Sequence, residues 1–257
     1  QWSRLAARSL RKEFALTKEV KRATVHIAGM GLYELFINGQ RIGEQVLAPA
    51  PTDYRKTILY NTYDVTPQLQ KENAIGVILG NGRFYTMRQN YKPYKIPTFG
   101  YPKLRLNLII EYTDGSRQTI ASDISWKLTT EGPIRSNNEY DGEEYDARKE
   151  LGDWNRTGYD DTNWIPAGRV SIPSGTLRAQ MMPGMKVTES LKPVSIRKQG
   201  DKHILDIGQN MAGWLRIRIK GQAGDSIRLR FAERLQADGE IFTKNLRDAH
   251  CTDIYLS

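Results

Sequence analysis

The amino-acid sequence predicts an all-β protein made of two β-sandwich units. Apolar and polar residues alternate with a period of two over many short stretches, as in Leu215-Arg216-Ile217-Arg218-Ile219-Lys220 and Ile227-Arg228-Leu229-Arg230, the pattern of a strand with one wet face. Turn-forming pairs such as Asn38-Gly39 and Asp114-Gly115 punctuate these stretches. Helical periodicity is nearly absent, with Arg148 to Trp154 the one helix-like candidate. Many short strands with regular turns fold as a sandwich or a jelly roll.

In chain order, Glu13 to Leu16 is an entry strand and Lys21 to Ile27 alternates as a second. Leu32 to Ile37 is a strand that Asn38-Gly39, a favoured type I′ pair, returns through Gln40 to Ile42. Val46 to Arg55 is a Pro-rich loop. Thr57 to Tyr63, rich in Thr, Ile, Leu and Tyr, is a strand, and Asp64 or Thr66 caps a short turn before Leu69. Asn73 to Leu79 is a short apolar strand closed by Gly80-Asn81-Gly82. Phe84 to Phe99 is a long aromatic loop of the length usually reserved for function. Leu104 to Tyr112 and Ser116 to Ala121 form a hairpin, followed by a strand at Trp126 to Thr129. Trp164 to Pro193 is rich in proline and reads as a linker or an extended connecting strand. Alternation resumes at Val194 to Arg197, His203 to Asp206, Gly213 to Lys220, Ser226 to Glu233 and Thr252 to Leu256.

The 257 residues suffice for one large or two smaller β domains, and 39% apolar residues support ordinary cores. The net charge is +9, which makes nucleic acid the first partner to test. The bases are interleaved with apolar residues on the wet faces of strands and form no compact block, so no nucleic-acid partner is expected. Cys251 is the single cysteine, which rules out an intramolecular disulfide. No apolar run approaches the length of a membrane span, and no signal peptide is visible. His26, His203 and His250 lack metal-pair spacing, and no Ser/His/Asp elbow, phosphate loop or zinc motif occurs.

The stretch Glu131 to Asp161 holds ten of the chain's 29 acids and four of its 38 bases. Neighbouring asparagines, closely spaced carboxylates and Tyr/Trp rings are the groups a polyol site uses: planar polar groups for hydroxyls, flat faces for C–H patches. The alternative is a solvated acidic loop.

Several pieces together resemble the non-catalytic front part of bacterial α-L-rhamnosidases. They are GLYELFINGQRIG, LAPAPTDYRKTILYNTYDVT, NAIGVILGNGRFY, YDGEEYDARKE with GYDDTNW, and the stretch from DIGQNMAGWLRIRIKG to the last residue. The resemblance implies a galactose-binding-like jelly roll over residues 13–170, a linker over 171–189, and a second, smaller and incomplete β-sandwich over 190–257. It implies that the bond-breaking carboxylate pair belongs to a separate (α/α)6 barrel, so that this chain is inactive alone and has that barrel as its partner. It also implies L-rhamnose-containing glycans as ligands, with Ca2+ beside the sugar in some members, and a bacterial periplasmic or secreted location in preference to a cytoplasmic one. The sequence departs from the pattern at Arg83, where the family usually carries Trp, so a stacking ring would have to come from Phe84, Tyr85, Tyr91 or Tyr94.

The candidate sugar contacts are Asp53 and Tyr54 in the Pro-rich loop, Asn81 and Arg83 at a loop mouth, Tyr85, and Asn137, Asn138 and Glu143 in the acidic stretch. Against these stand plainer roles: Asp53 ordering a turn, Asn81-Gly82 forming one, and Arg83 as surface. No cofactor is required; Ca2+, which takes 6–8 oxygen ligands, is the candidate ion, with Asn138, Glu139 and Asp141 as ligands. An Asp146–Arg148 or Glu143–Arg pair is expected to pin the loop. Trp214 is expected to pack between sheets, beside Gly208, Gln209 and Asn210. Two alternatives remain at this stage: a purely structural spacer that packs on a catalytic domain, and a free-standing glycosidase using the acidic stretch.

Overall fold

A computed structural model describes residues 4–86 and 98–257; Tyr91 and Tyr94, two of the expected ring candidates, lie outside them. The strands are β1 (Arg8–Ala15), β2 (Val20–Met30), β3 (Leu32–Ile37), β4 (Gln40–Arg41), β5 (Thr57–Asp64), β6 (Glu72–Gly80), β7 (Lys103–Tyr112), β8 (Arg117–Ala121) and β9 (Lys127–Thr129). They continue as β10 (Ile134–Asn138), β11 (Gly142–Asp146), β12 (Ile165–Pro166), β13 (Thr176–Ala179), β14 (Ser195–Gln199), β15 (Lys202–Asp206), β16 (Ser226–Arg230) and β17 (Thr252–Leu256). The protein is all-β, as its alternation predicts.

A six-stranded sheet, β12-β9-β1-β6-β3-β4, and a five-stranded sheet, β13-β5-β2-β7-β8, enclose one core. Their inward residues are the alternate apolar positions of the sequence: Val25 and Ile27 on β2, Leu35 and Ile37 on β3, Ile75 and Val77 on β6, and Leu106, Leu108 and Ile110 on β7. Burying each such side chain contributes about 1.5–3 kcal/mol. Truncating one of them, Leu108→Ala for example, would cost about 2–5 kcal/mol.

The turns follow their residues. Asn38 and Gly39 both have positive φ, 51° and 81°, as a type I′ turn requires. At the β7–β8 hairpin Gly115 has φ 83° and Tyr112 accepts the Gly115 N–H at 3.0 Å, a one-glycine version of the same reversal. Asp64 accepts from the Thr66 N–H at 3.0 Å and leads into a single 3-10 turn, Thr66–Gln68.

Three features depart from the sequence reading. The entry strand starts earlier, at Arg8, because β1 pairs with β6 along its whole length from Arg8↔Leu79 to Ala15↔Glu72. The helix-like stretch at 148–154 makes only one 3-10 turn, Ala147–Lys149; its residues are spent covering the sheet instead. Trp154 lies against β6 where Gly76 leaves room, since a Cβ there would stand 2.8 Å from the indole. Trp154 also stacks on Trp164. Beneath this cover Arg11, 2% exposed, donates to the Trp154 carbonyl at 2.7 Å and pairs with Asp161 and Glu13.

The third departure is at the C-terminal end. The stretch 213–220 forms no ladder, and Trp214, expected between sheets, is 55% exposed, because no second layer covers it among the described residues. Within the segment 171–189, β13 adds in parallel to β5 at the sheet edge. A four-stranded sheet, β10-β11-β17-β16, joins the acidic stretch to the C-terminal strands, with β11 parallel to β17 through Glu144↔Ile254, Tyr145↔Tyr255 and Asp146↔Leu256. β14 and β15 form a separate hairpin.

Candidate functional site

The end of β6 is where most of the expected site residues gather. β6 finishes at Gly80, and the next residue, Asn81, is fully buried. Its backbone N–H donates to Asn137 Oδ1 at 2.6 Å, and its side-chain Nδ2 donates to the carbonyls of Asn137 at 2.9 Å and Leu5 at 2.8 Å. Its Oδ1 accepts from Arg8, itself 7% exposed. Asn137 Nδ2 also donates to Leu5 O at 3.2 Å. The two asparagines thus use their polar atoms to join β6, β10 and the N-terminal segment. A buried amide so occupied has nothing left to offer a sugar diol.

The Arg8 guanidinium stands 5.7 Å from the Tyr85 ring centre and 5.5 Å from that of Tyr101, a cation–π contact to both. Burial holds the Arg8 pKa below its ordinary value. Tyr85 is 5% exposed and Tyr54 2%. Tyr54 meets Phe84 and Phe99 edge-on at 5.0 Å and 5.3 Å, and burial pushes its hydroxyl up to about 12. The two tyrosines are therefore packing rings, with no open face for stacking on a sugar. Asp53 orders its turn: its side chain accepts the Arg55 N–H at 3.2 Å and its carbonyl the Thr57 N–H at 2.9 Å.

Arg83 reaches across to Glu139 at 2.7 Å and to the Tyr140 hydroxyl. Asn138 Oδ1 accepts the backbone N–H of Tyr140 at 2.8 Å, an Asx turn. Asp141 accepts the Thr252 N–H through its carbonyl at 2.9 Å and lies 3.8 Å from His250. The donor set expected for Ca2+ is thus committed to turns and pairs. Among the described residues no group of three or more His, Cys, Asp or Glu side chains converges.

Asp146 holds Arg148 at 2.8 Å and 2.9 Å, the expected pairing. Among the described residues Glu143 pairs with no arginine. Its backbone N–H donates to Asp253 at 2.9 Å, and its surroundings are acidic. Desolvation by surrounding atoms, reinforced by the charges of Asp253 and Glu34, raises its carboxyl to about 7. The side chain still reaches water, so solvent screens part of this effect. A shallow groove of about 440 Å³ at the opposite end of β6, lined by Leu16 to Val20 and Leu69 to Lys71, holds one carboxylate, Glu19. An inverting hydrolase needs two, about 6.5–9.5 Å apart.

The sequence matches the family described as the alpha-L-rhamnosidase N-terminal domain over residues 18–189, and the bacterial alpha-L-rhamnosidase concanavalin-like domain over residues 196–257. The chain belongs to the bacterial α-L-rhamnosidase family. An α-L-rhamnosidase of Formosa agariphila is 40% identical over 240 residues, 91% of this chain. One from Streptomyces avermitilis is 39% identical over 272 residues, 99% of the chain. Each match covers 25% of the relative, so the chain spans about a quarter of the length of these rhamnosidases. Solved structures agree. The α-L-rhamnosidase of Dictyoglumus thermophilum superposes with a TM-score of 0.90 at 42% identity over 98% of this chain and 28% of that one. The S. avermitilis enzyme complexed with L-rhamnose gives 0.91 at 38% identity, covering 98% and 25%.

Arg8 at the end of β6, and Arg11 and Trp154 over its middle at Gly76, are buried anchors that sequence reasoning did not single out. Arg8 and Arg11 flank Leu10 on a strand whose charged positions look solvated. The one available signal was the run of apolar residues and glycine in β6, which has two buried faces to cover.

Proposed function

We propose that this chain is the non-catalytic N-terminal portion of an α-L-rhamnosidase, an enzyme that hydrolyses terminal α-L-rhamnosyl residues through an (α/α)6 barrel outside it, and that the portion acts as a scaffold bracing that barrel. The observation that carries the scaffolding role is the Asn81–Asn137 cluster, where the side chains expected to grip a sugar are consumed in fastening segments of the chain together. Matches confined to about a quarter of each relative support the fragmentary role. A periplasmic or secreted location suits an enzyme of external glycans.

A second reading, sugar binding, is favoured by one observation: the S. avermitilis relative was solved with L-rhamnose. Asp53, Arg83 and Glu143, all exposed, are expected contacts that remain accessible for it. The test is calorimetric titration of L-rhamnose into the chain, with an aryl α-L-rhamnoside hydrolysis assay on the same sample. The scaffold expectation is no turnover and no heat beyond dilution. Saturable heat abolished by Arg83→Ala would establish the sugar-binding reading, and turnover by the chain alone would overturn the non-catalytic one.

A further inference from the structure

We propose that a basic face at one end of the first sandwich binds a glycan that carries uronate carboxylates. The proposal goes beyond scaffolding and rests on the reading of the chain as part of a rhamnosidase, an enzyme of glycans.

The sequence holds no Asp or Glu from Asn73 to Ile110, a stretch with six Lys or Arg. Within it, β7 sends Lys103 and Arg105 to the outer face of the five-stranded sheet. They stand opposite Met30 and Ala28 of β2, whereas Leu106, opposite Ile27, faces the core. That outer face carries a second apolar cluster built on Met30, Tyr54 and Phe84, with Phe99 packed against it. Cations rest on its rings. Lys103 Nζ stands 5.3 Å from the Phe84 ring centre, and the Arg55 guanidinium 5.9 Å from that of Phe99. Lys103 also donates to the Tyr101 carbonyl at 3.5 Å, which joins this cluster to Arg8 and its two tyrosines. Arg4, exposed, adjoins them; its carbonyl accepts from Arg8 at 2.9 Å. Arg55 has Asp53 as a partner. Arg4, Arg8, Lys103 and Arg105 have no carboxylate partner among the described residues, so the face draws anions from outside the chain.

Ring exposure selects the occupant. Tyr54 is 2% exposed, Phe84 0% and Tyr85 5%, whereas Tyr101, at 57%, presents an open face. A nucleic-acid strand asks for successive open rings on which bases stack, and one ring does not supply them. One ring matches one pyranose, whose C–H face packs on it. A uronate bears its carboxylate on that same pyranose, so the sugar that stacks on Tyr101 brings its anion to the cations around it. Guanidinium forks take carboxylates through two parallel bonds. Cations already resting on rings lose less side-chain freedom when a ligand binds.

The experiment is binding of polygalacturonate to the 257-residue chain, read by biolayer interferometry, with neutral dextran, dextran sulfate and a single-stranded DNA oligonucleotide in parallel. The expected result is saturable binding of polygalacturonate and none of dextran. Lys103→Glu with Arg105→Glu is expected to weaken it by about tenfold or more, and Tyr101→Ala several-fold. Arg228→Glu with Arg230→Glu makes the same change of charge on β16, where both are exposed, and is expected to leave binding within about twofold. Each variant is first melted beside the parent chain, and Lys103→Gln with Arg105→Gln replaces a reversed pair that does not fold. Absence of polygalacturonate binding overturns the proposal. Equal weakening by the two reversed pairs overturns it too, by making net charge the cause. Dextran sulfate or the oligonucleotide binding as tightly as polygalacturonate overturns the choice of a uronate glycan. The rhamnosidase reading is scored apart, by L-rhamnose titration and the aryl α-L-rhamnoside assay, and survives each of these outcomes.

Discussion

Asn137 accepts the backbone N–H of Asn81 through its side-chain oxygen at 2.6 Å, while Asn81 returns a bond from its side chain to the Asn137 carbonyl at 2.9 Å. This reciprocal pair ties the end of β6 to β10 across a long sequence separation. Asn81→Ala would strip Arg8 of one of its two acceptors, leaving the Arg4 carbonyl, and leave the Leu5 and Asn137 carbonyls each one donor short. The expected loss is about 2–5 kcal/mol in urea unfolding. A loss within experimental error would show that the cluster fastens nothing.

Arg11 is a second buried fastening, between β1 and the covering segment. Asp161→Ala removes one of its partners and is expected to cost about 3–5 kcal/mol, because a buried guanidinium is then under-compensated. Arg11→Met combined with Asp161→Leu should recover part of that loss, since well-packed apolar residues can replace a buried pair. A double variant as unstable as the sum of the two singles would show that the pair does not act as a unit.

Glu143 sets a pH dependence of defined sign. Its carboxyl is raised from 4.5 to about 7, so the folded state holds the proton more tightly than the unfolded chain. Its contribution to stability is complete below about pH 4.5 and is lost as pH rises through about 7. Thermal melts of the native chain should therefore lose stability across that window relative to Glu143→Gln. Parallel pH profiles for the two proteins would remove Glu143 as the cause.

Calcium gives a fourth expectation. With Asn138, Glu139 and Asp141 already committed, millimolar Ca2+ or a chelator should leave the Tm where it is, since only a ligand that binds the folded state raises it. A rise with Ca2+ would place an ion site in this chain after all.

The β-sandwich was legible because one-sided burial writes a period of two into the sequence, and β2, β3 and β7 keep it almost without interruption. Its tight turns were legible because Asn38-Gly39 has few other backbone options. The site was not. Asn81 reads the same whether its amide meets a sugar or the chain's own carbonyls, and Tyr54 reads the same as a stacking platform or a core ring; only three-dimensional burial separates these roles. Long-range partners such as Arg11 with Asp161, or β11 with β17, leave no local periodicity to find. Residues 213–220 are the reverse case: the local pattern is that of a strand, but the segment has no ladder partner among the described residues.

The parallel pairing of β11 with β17 has a practical outcome for handling the molecule. A protease that nicks the exposed stretch around 186–193 would sever the covalent path, yet the last strand would stay clasped between β11 and β16, one from each side of the cut. The two pieces should therefore elute as one species from a sizing column and part only in denaturant, so a clean cut at that stretch is a poor way to obtain the first sandwich as an independent body.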